Sequence, residues 1–206
     1  MSGQTSGRAL LVATAVGLLM LALAPARAAA HLVTTGLGPV YDGIGHFALT
    51  PEDFVPALAL ALLAGLRGPD HGRWALFVLP AAWLVGGMAG LTSAMSVSPP
   101  APWLAFVCLG GLVAADARLP LSVTTALAAL LGLGHGFLNG AALVRPGPGG
   151  AGLVGVVAAV FVSVALAASV VAPVRAAWAR LIVRVIGSWV VAVGLLLLGW
   201  SFRSSA

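Results

Sequence analysis

Apolar residues run along this chain in long blocks, and the polar ones collect between the blocks instead of alternating with them. A run of roughly 20 apolar residues is what a helix needs to cross a hydrocarbon core of about 30 Å. Cutting the chain wherever Pro, Gly and charge cluster leaves six runs, about 51 to 66, 74 to 93, 102 to 116, 120 to 144, 150 to 172 and 178 to 200. The first and third are short. The pattern predicts an all-α fold, a polytopic integral membrane helix bundle of about six transmembrane helices, with residues 31-206 as a single transmembrane domain. The short first run is expected to tilt little or to follow a re-entrant piece, and the short third to lie among its neighbours.

A seventh apolar block stands before these. Arg8 precedes "ALLVATAVGLLMLALA", and "APARAAA" then offers small-residue cleavage sites ending at Ala28 or Ala30. That order of charge, apolar stretch and small residues is the layout of a signal peptide, so residues 1-30 are expected to be removed. Cleavage after Ala30 would make His31 the first residue, with an amine and an imidazole able to chelate a metal together; a first residue with no such role is the plainer alternative.

Composition sharpens the class. The 206 residues are 61% hydrophobic and only 7% charged, outside the range of ordinary water-soluble domains. All ten basic residues are arginines, and they sit at the ends of apolar runs, a distribution that argues against nucleic-acid binding despite the positive net charge. With the mature N-terminus outside, Arg67, Arg73, Arg118, Arg175, Arg180 and Arg184 fall on the inner side and only Arg145 and Arg203 on the outer. Positive charge favours the inner side, so this orientation in a bacterial inner membrane is the expected one. The outer loops "SVSPPAP" and "RPGPGGAG" are too short to hold a soluble domain.

Against this background the polar residues inside or beside the runs carry the candidate chemistry. In "GPVYDGIGHFALTPEDF", Asp42 and His46 are four apart, which places them on one face of a helical turn. Thr50, Pro51, Glu52 and Asp53 then read as a helix start: an N-cap, a proline at the first position and acids where the helix dipole favours them. A bend at Pro51 would bring all four candidate ligands, Asp42, His46, Glu52 and Asp53, to one mouth. A helix cap without further function is the alternative for Glu52 and Asp53. In the fourth run, "ALLGLGHGFLNGAAL" repeats the i, i+4 spacing with His135 and Asn139, at the same membrane level. Ionisable groups at such depth usually face the bundle interior, although a core histidine bonded to a carbonyl is the simpler reading. Gly132, Gly136 and Gly140 form a ridge on which another helix can approach closely. The pair Asp70-His71 in "GPDHGR" is expected in a solvated inner loop.

Imidazole with carboxylate and amide oxygen suits a borderline divalent cation such as nickel, cobalt, zinc or copper(II) better than copper(I). Met88 and Met95 are seven apart and read as packing. The lone cysteine, Cys108, excludes a disulfide framework and a thiolate cluster. No activated Ser or Cys arrangement is present, so an enzyme is not expected.

On these residues the chain resembles the HupE/UreJ family of small membrane permeases, associated with nickel and cobalt supply to hydrogenases and ureases. "HFALTPEDF" is similar to that family's first-helix motif H-P-x-x-G-x-D-H, with His46 at the leading His and Glu52 or Asp53 where the D-H pair stands. "HGFLNG" is similar to its later motif H-G-H-x-H-G, with His135 at the first His, Phe137 at the second and Asn139 at the last. The resemblance implies a secondary permease for a divalent metal, nickel or cobalt, taken from the outer side. It has no permanently bound cofactor, and its partners are the lipid bilayer, the ion, and metalloenzyme-maturation proteins or further copies of the chain. The replaced histidines raise the oxygen content of the site. The alternative is a non-transporting accessory or metal-sensing protein that docks a partner; glycine pairs such as Gly86 and Gly90 fit helix association as well as internal packing.

Overall fold

The computed structural model describes residues 34–93, 103–144 and 147–204. The signal peptide, its cleavage site, His31, Met95 and Arg145 lie outside the described residues. Within them the chain forms seven helices and no strand: α1 (Pro39–Leu49), α2 (Pro51–Arg67), α3 (Pro69–Thr92), α4 (Trp103–Ala114), α5 (Leu121–Ala142), α6 (Gly149–Val171) and α7 (Ala177–Ser204). The first three each begin with proline, whose fixed φ suits a first helical turn and whose missing N–H would be unpaired there anyway. Gly38 and Gly68, at φ 108° and 113°, supply the reversals before α1 and α3 that a side chain would strain.

All six apolar runs fall on helices. Four of those helices, α3, α5, α6 and α7, are long and apolar enough to cross a membrane. The first run is half of a broken element: α1 and α2 meet at a 74° bend and together pass the same test. The third run is α4, whose 12 residues reach only about 18 Å at about 1.5 Å per residue, well short of a hydrocarbon core. The bent pair is a broken span or a re-entrant loop, and α4 packs on α2 and α7 while Leu104 and Cys108 stay exposed, so it is not enclosed by its neighbours.

The core is organised around α2, which touches each of the other six helices. Between Phe54 and Leu66 its residues are apolar on every side, and Ala57, Leu60, Ala61, Leu63 and Ala64 are completely buried. Around it the outer helices carry large apolar side chains on their open faces, among them Leu130, Leu166, Val170, Trp178 and Trp200. Such surfaces suit lipid, where the helical backbone satisfies its own hydrogen bonds and apolar side chains cost nothing to expose.

The tightest seam joins α3 and α5. Leu79, Trp83 and Gly87 on α3 face Gly132, Gly136 and Gly140 on α5 in rising order, so the two helices run parallel. A Cβ at Gly136 would fall on the Trp83 carbonyl, and one at Gly140 on the Gly87 carbonyl; in return, Gly86 and Gly90 press on the carbonyls of Leu133 and Phe137. The expected ridge is therefore real, and the helix that approaches it is α3. Gly86 and Gly90 lie inside this seam, so of the two readings of that pair it is internal packing that holds. Small residues facing backbone are the packing that membrane helices favour, since it lets the axes approach closely.

A second glycine contact fixes α1. Gly43 meets the Gly152 backbone and Gly155 meets that of Val40, which holds α1 across the start of α6 and sets the direction from which the chain enters α2.

Candidate metal site

The bend between α1 and α2 determines where the acids go. Thr50 stands at the N-cap of α2, but its hydroxyl donates back to the His46 carbonyl at 2.6 Å and does not cap the helix. Its own carbonyl accepts from the amides of Asp53 and Phe54, both at 3.0 Å, closing the first turn. Glu52 and Asp53 thereby leave in different directions: Glu52 is partly exposed, while Asp53 is directed into the bundle and is 4% exposed.

There the Asp53 carboxylate meets α5. His135 Nδ1 lies 2.8 Å from Asp53 Oδ1, and Asn139 Nδ2 donates to Asp53 Oδ2 at 2.7 Å. The i, i+4 spacing that puts His135 and Asn139 on one face of α5 is what lets one carboxylate serve both. With the carboxylate ionised and the imidazole neutral, His135 Nδ1 carries the hydrogen and the Nε2 lone pair is left for another group. This is the carboxylate–histidine arrangement that orients imidazole ligands at metal sites, with Asp53 as the orienting group.

An aromatic wall backs the pair. Phe54 packs edge-on against Phe47, and Phe47 against Trp83, each with ring centroids 5.7 Å apart. Trp83, completely buried, then lies 5.5 Å from the His135 ring at a 37° tilt. Four helices thus meet around the centre: α2 through Asp53 and α3 through Trp83 touch the imidazole of α5, and α1 backs Trp83 through Phe47. Trp83 Nε1 and Asn139 Oδ1 are buried and have no hydrogen-bond partner among the described residues.

The other expected ligands are placed differently. Asp42 and His46 do share α1, but Asp42 Oδ1 accepts from the Thr35 amide at 2.6 Å and from the Thr35 hydroxyl at 2.7 Å, tying down the segment before the helix. His46 is buried at the bend, 8% exposed, with its carbonyl taken by Thr50. Of the expected ligands, Asp53, His135 and Asn139 are brought together by hydrogen bonds, while Asp42, His46 and Glu52 are not joined to them. Among the described residues no three of His, Cys, Asp and Glu gather closely enough to hold a metal.

Two features at the opposite end of the bundle depart from expectation or escaped it. The "GPDHGR" stretch is helical, not a loop, from Pro69 onward: Asp70 is exposed beside Arg73 at 3.5 Å, whereas His71 turns inward to the buried Thr124 hydroxyl at 3.1 Å. Asp116 is the acid that sequence reasoning passed over. It binds Arg67 and accepts a forked pair of bonds from Arg180 Nη2 at 2.8 and 2.7 Å, joining the end of α2 and the start of α7 at the turn after α4. Its signal was present in the sequence, as a single acid among the inner arginines.

A multi-pass helical bundle with lipid-suited faces and a buried carboxylate–imidazole–amide centre is a membrane protein built around a polar core site. The chain belongs to the HupE / UreJ family: the family model described as HupE / UreJ protein matches residues 18–197, most of its length. That family is associated with nickel and cobalt transport or with urease and hydrogenase maturation. The chain matches no curated protein and no solved structure.

Proposed function

We propose that the protein is a secondary permease that takes a divalent transition metal ion, nickel or cobalt, from the outer side of a bacterial inner membrane. The observation that carries this reading is the Asp53–His135–Asn139 centre: a carboxylate fixes the imidazole so that its Nε2 lone pair is free to ligate, in a family associated with metal supply. His46 and Glu52, near the bend, serve the approach, and Asp42 holds that approach in shape through Thr35.

Only one imidazole nitrogen is offered at the centre, which makes for modest affinity. Modest affinity suits transport, because a permeating ion must leave as readily as it arrives. The sequence holds no nucleotide-binding motif, and the membrane potential alone favours cation entry by about 2.3 kcal/mol per charge per 100 mV.

The test is nickel and cobalt accumulation by cells producing the wild-type chain, His135→Ala or His46→Ala at matched membrane levels. The wild type accumulates metal and the variants do not; accumulation at the wild-type level in His135→Ala sinks the mechanism. Sealed vesicles separate transport from the accessory or sensing role, since metal binding without flux would assign the latter.

A further inference from the structure

Two buried polar atoms are not used by the centre as described, and both belong to side chains that touch it. Trp83 Nε1 is a donor and Asn139 Oδ1 an acceptor, each without a partner among the described residues. Trp83 reaches the centre through its ring against His135, and Asn139 through its bond to Asp53. Leaving one such group unpaired in a protein interior is costly, and two on side chains that contact the Asp53–His135 pair point to a polar guest at the centre.

Their opposite character narrows the choice. A bare cation would satisfy the Asn139 oxygen but would face the positive hydrogen of the indole N–H, which can only donate. An anion would satisfy the indole and be repelled by Asn139 Oδ1 and the neighbouring carboxylate. A water molecule accepts from one, donates to the other, and keeps a lone pair for a metal.

The supply of ligands leads to the same place. Both Asp53 oxygens are engaged, one by His135 and one by Asn139, and no three of His, Cys, Asp and Glu gather among the described residues. His135 Nε2 is then the one strong ligand atom the centre presents. Divalent transition ions take about four to six ligands, so most of the shell has to travel with the ion.

The geometry points to a partly hydrated divalent cation as the cargo, an inference that rests on the permease reading above. His135 Nε2 binds the metal directly; a metal-bound water accepts from Trp83 Nε1 and donates to Asn139 Oδ1. Trp83 is in this way a positioning residue that reads the hydration shell. It favours ions that retain water in six-coordinate shells, as nickel(II) and cobalt(II) do, over ions that prefer a dehydrated four-coordinate site, as zinc does.

The experiment is a titration of the purified full chain in detergent with cobalt(II), read by visible absorption, which is weak for six-coordinate and much stronger for four-coordinate cobalt. Trp83→Phe keeps an aromatic ring beside His135 while removing the N–H together with part of the indole bulk, so zinc binding by the same variant serves as the control for repacking. The wild type is expected to give the weak six-coordinate spectrum, and Trp83→Phe to bind cobalt about tenfold more weakly with zinc binding unchanged, the loss of about one hydrogen bond. A strong four-coordinate spectrum in the wild type overturns the inference, and that measurement stands even if Trp83→Phe fails to fold. Equal cobalt affinity in a folded Trp83→Phe also overturns it. Absence of any cobalt or nickel binding by the wild type overturns this inference and the permease reading together, whereas four-coordinate binding with intact uptake removes only this one.

Discussion

His135 and Asp53 meet at 2.8 Å across 82 positions of chain, and the contact joins the first turn of α2 to the middle of α5. Neither partner is well accommodated without the other: a lone ionised carboxylate at this depth would be strongly disfavoured, and a lone imidazole would lose its fixed orientation.

Asp53→Asn tests the orientation without changing the shape. An amide at position 53 cannot accept at both ends, so it must either present a donor to the Asn139 amide or force the His135 hydrogen onto Nε2. Metal accumulation should drop about 10- to 100-fold, the usual effect of removing an orienting partner. The check is accumulated nickel or cobalt per cell, normalised to membrane-inserted protein.

The glycine seam gives a contrast within one helix. Gly136→Ala drives a Cβ into the Trp83 carbonyl, whereas Gly134, on the same helix, has nothing within 4 Å of where a Cβ would stand. Gly136→Ala should destabilise by about 1–3 kcal/mol, the range for overpacking. Gly134→Ala should be neutral or slightly stabilising, since alanine is the better helix former. Thermal unfolding of both variants in the same detergent decides the comparison.

Removing the Asp116 carboxylate leaves Arg67 and Arg180 facing each other. Asp116 also sits at φ 50°, a conformation glycine and asparagine tolerate better than alanine. Asp116→Ala should therefore cost about 2–4 kcal/mol through the stranded guanidiniums and the backbone together. Asp116→Gly should be about 1 kcal/mol milder because only the charge loss remains. Loss of monodisperse protein on heating, measured for the two variants side by side, would expose the difference.

At the start of α3 the two halves of the Asp70-His71 pair should separate. Asp70→Ala touches an exposed ion pair with Arg73 and should change stability by less than about 0.5 kcal/mol. Thr124→Val removes the buried partner of His71 and should cost about 1 kcal/mol. Chemical unfolding of the two variants provides the measurement; equal effects would contradict the inward placement of His71.

Much of this centre was legible because charge is scarce. In a chain so apolar, Asp53, His135 and Asn139 could be picked out by rarity and their i, i+4 spacing, and the structure joins them directly. Rarity could not say what each acid does. Asp42 shares a helical face with His46 as the spacing implied, yet its carboxylate is satisfied locally by Thr35, a loop contact that periodicity does not encode. Trp83 was invisible for the opposite reason: one tryptophan in an apolar run looks like any other, and its importance comes from the register between α3 and α5. That register is set by which glycines meet which carbonyls, a tertiary matter. Asp116 was overlooked because the arginines around it were weighed only as markers of orientation, and their pairing depends on α2, α4 and α7 ending at one level.

The parallel seam between α3 and α5 also bears on how this chain can vary. Where backbone rests on backbone, at Gly86, Gly90, Gly132, Gly136 and Gly140, there is room for hydrogen and nothing larger, so each of those codons is nearly frozen. On the outward faces of the same two helices, Leu130 and Val85 can trade with almost any apolar neighbour. Tolerance to mutation should therefore run in stripes along each helix, and a library scored for survival would draw the buried seam in the positions it fails to return.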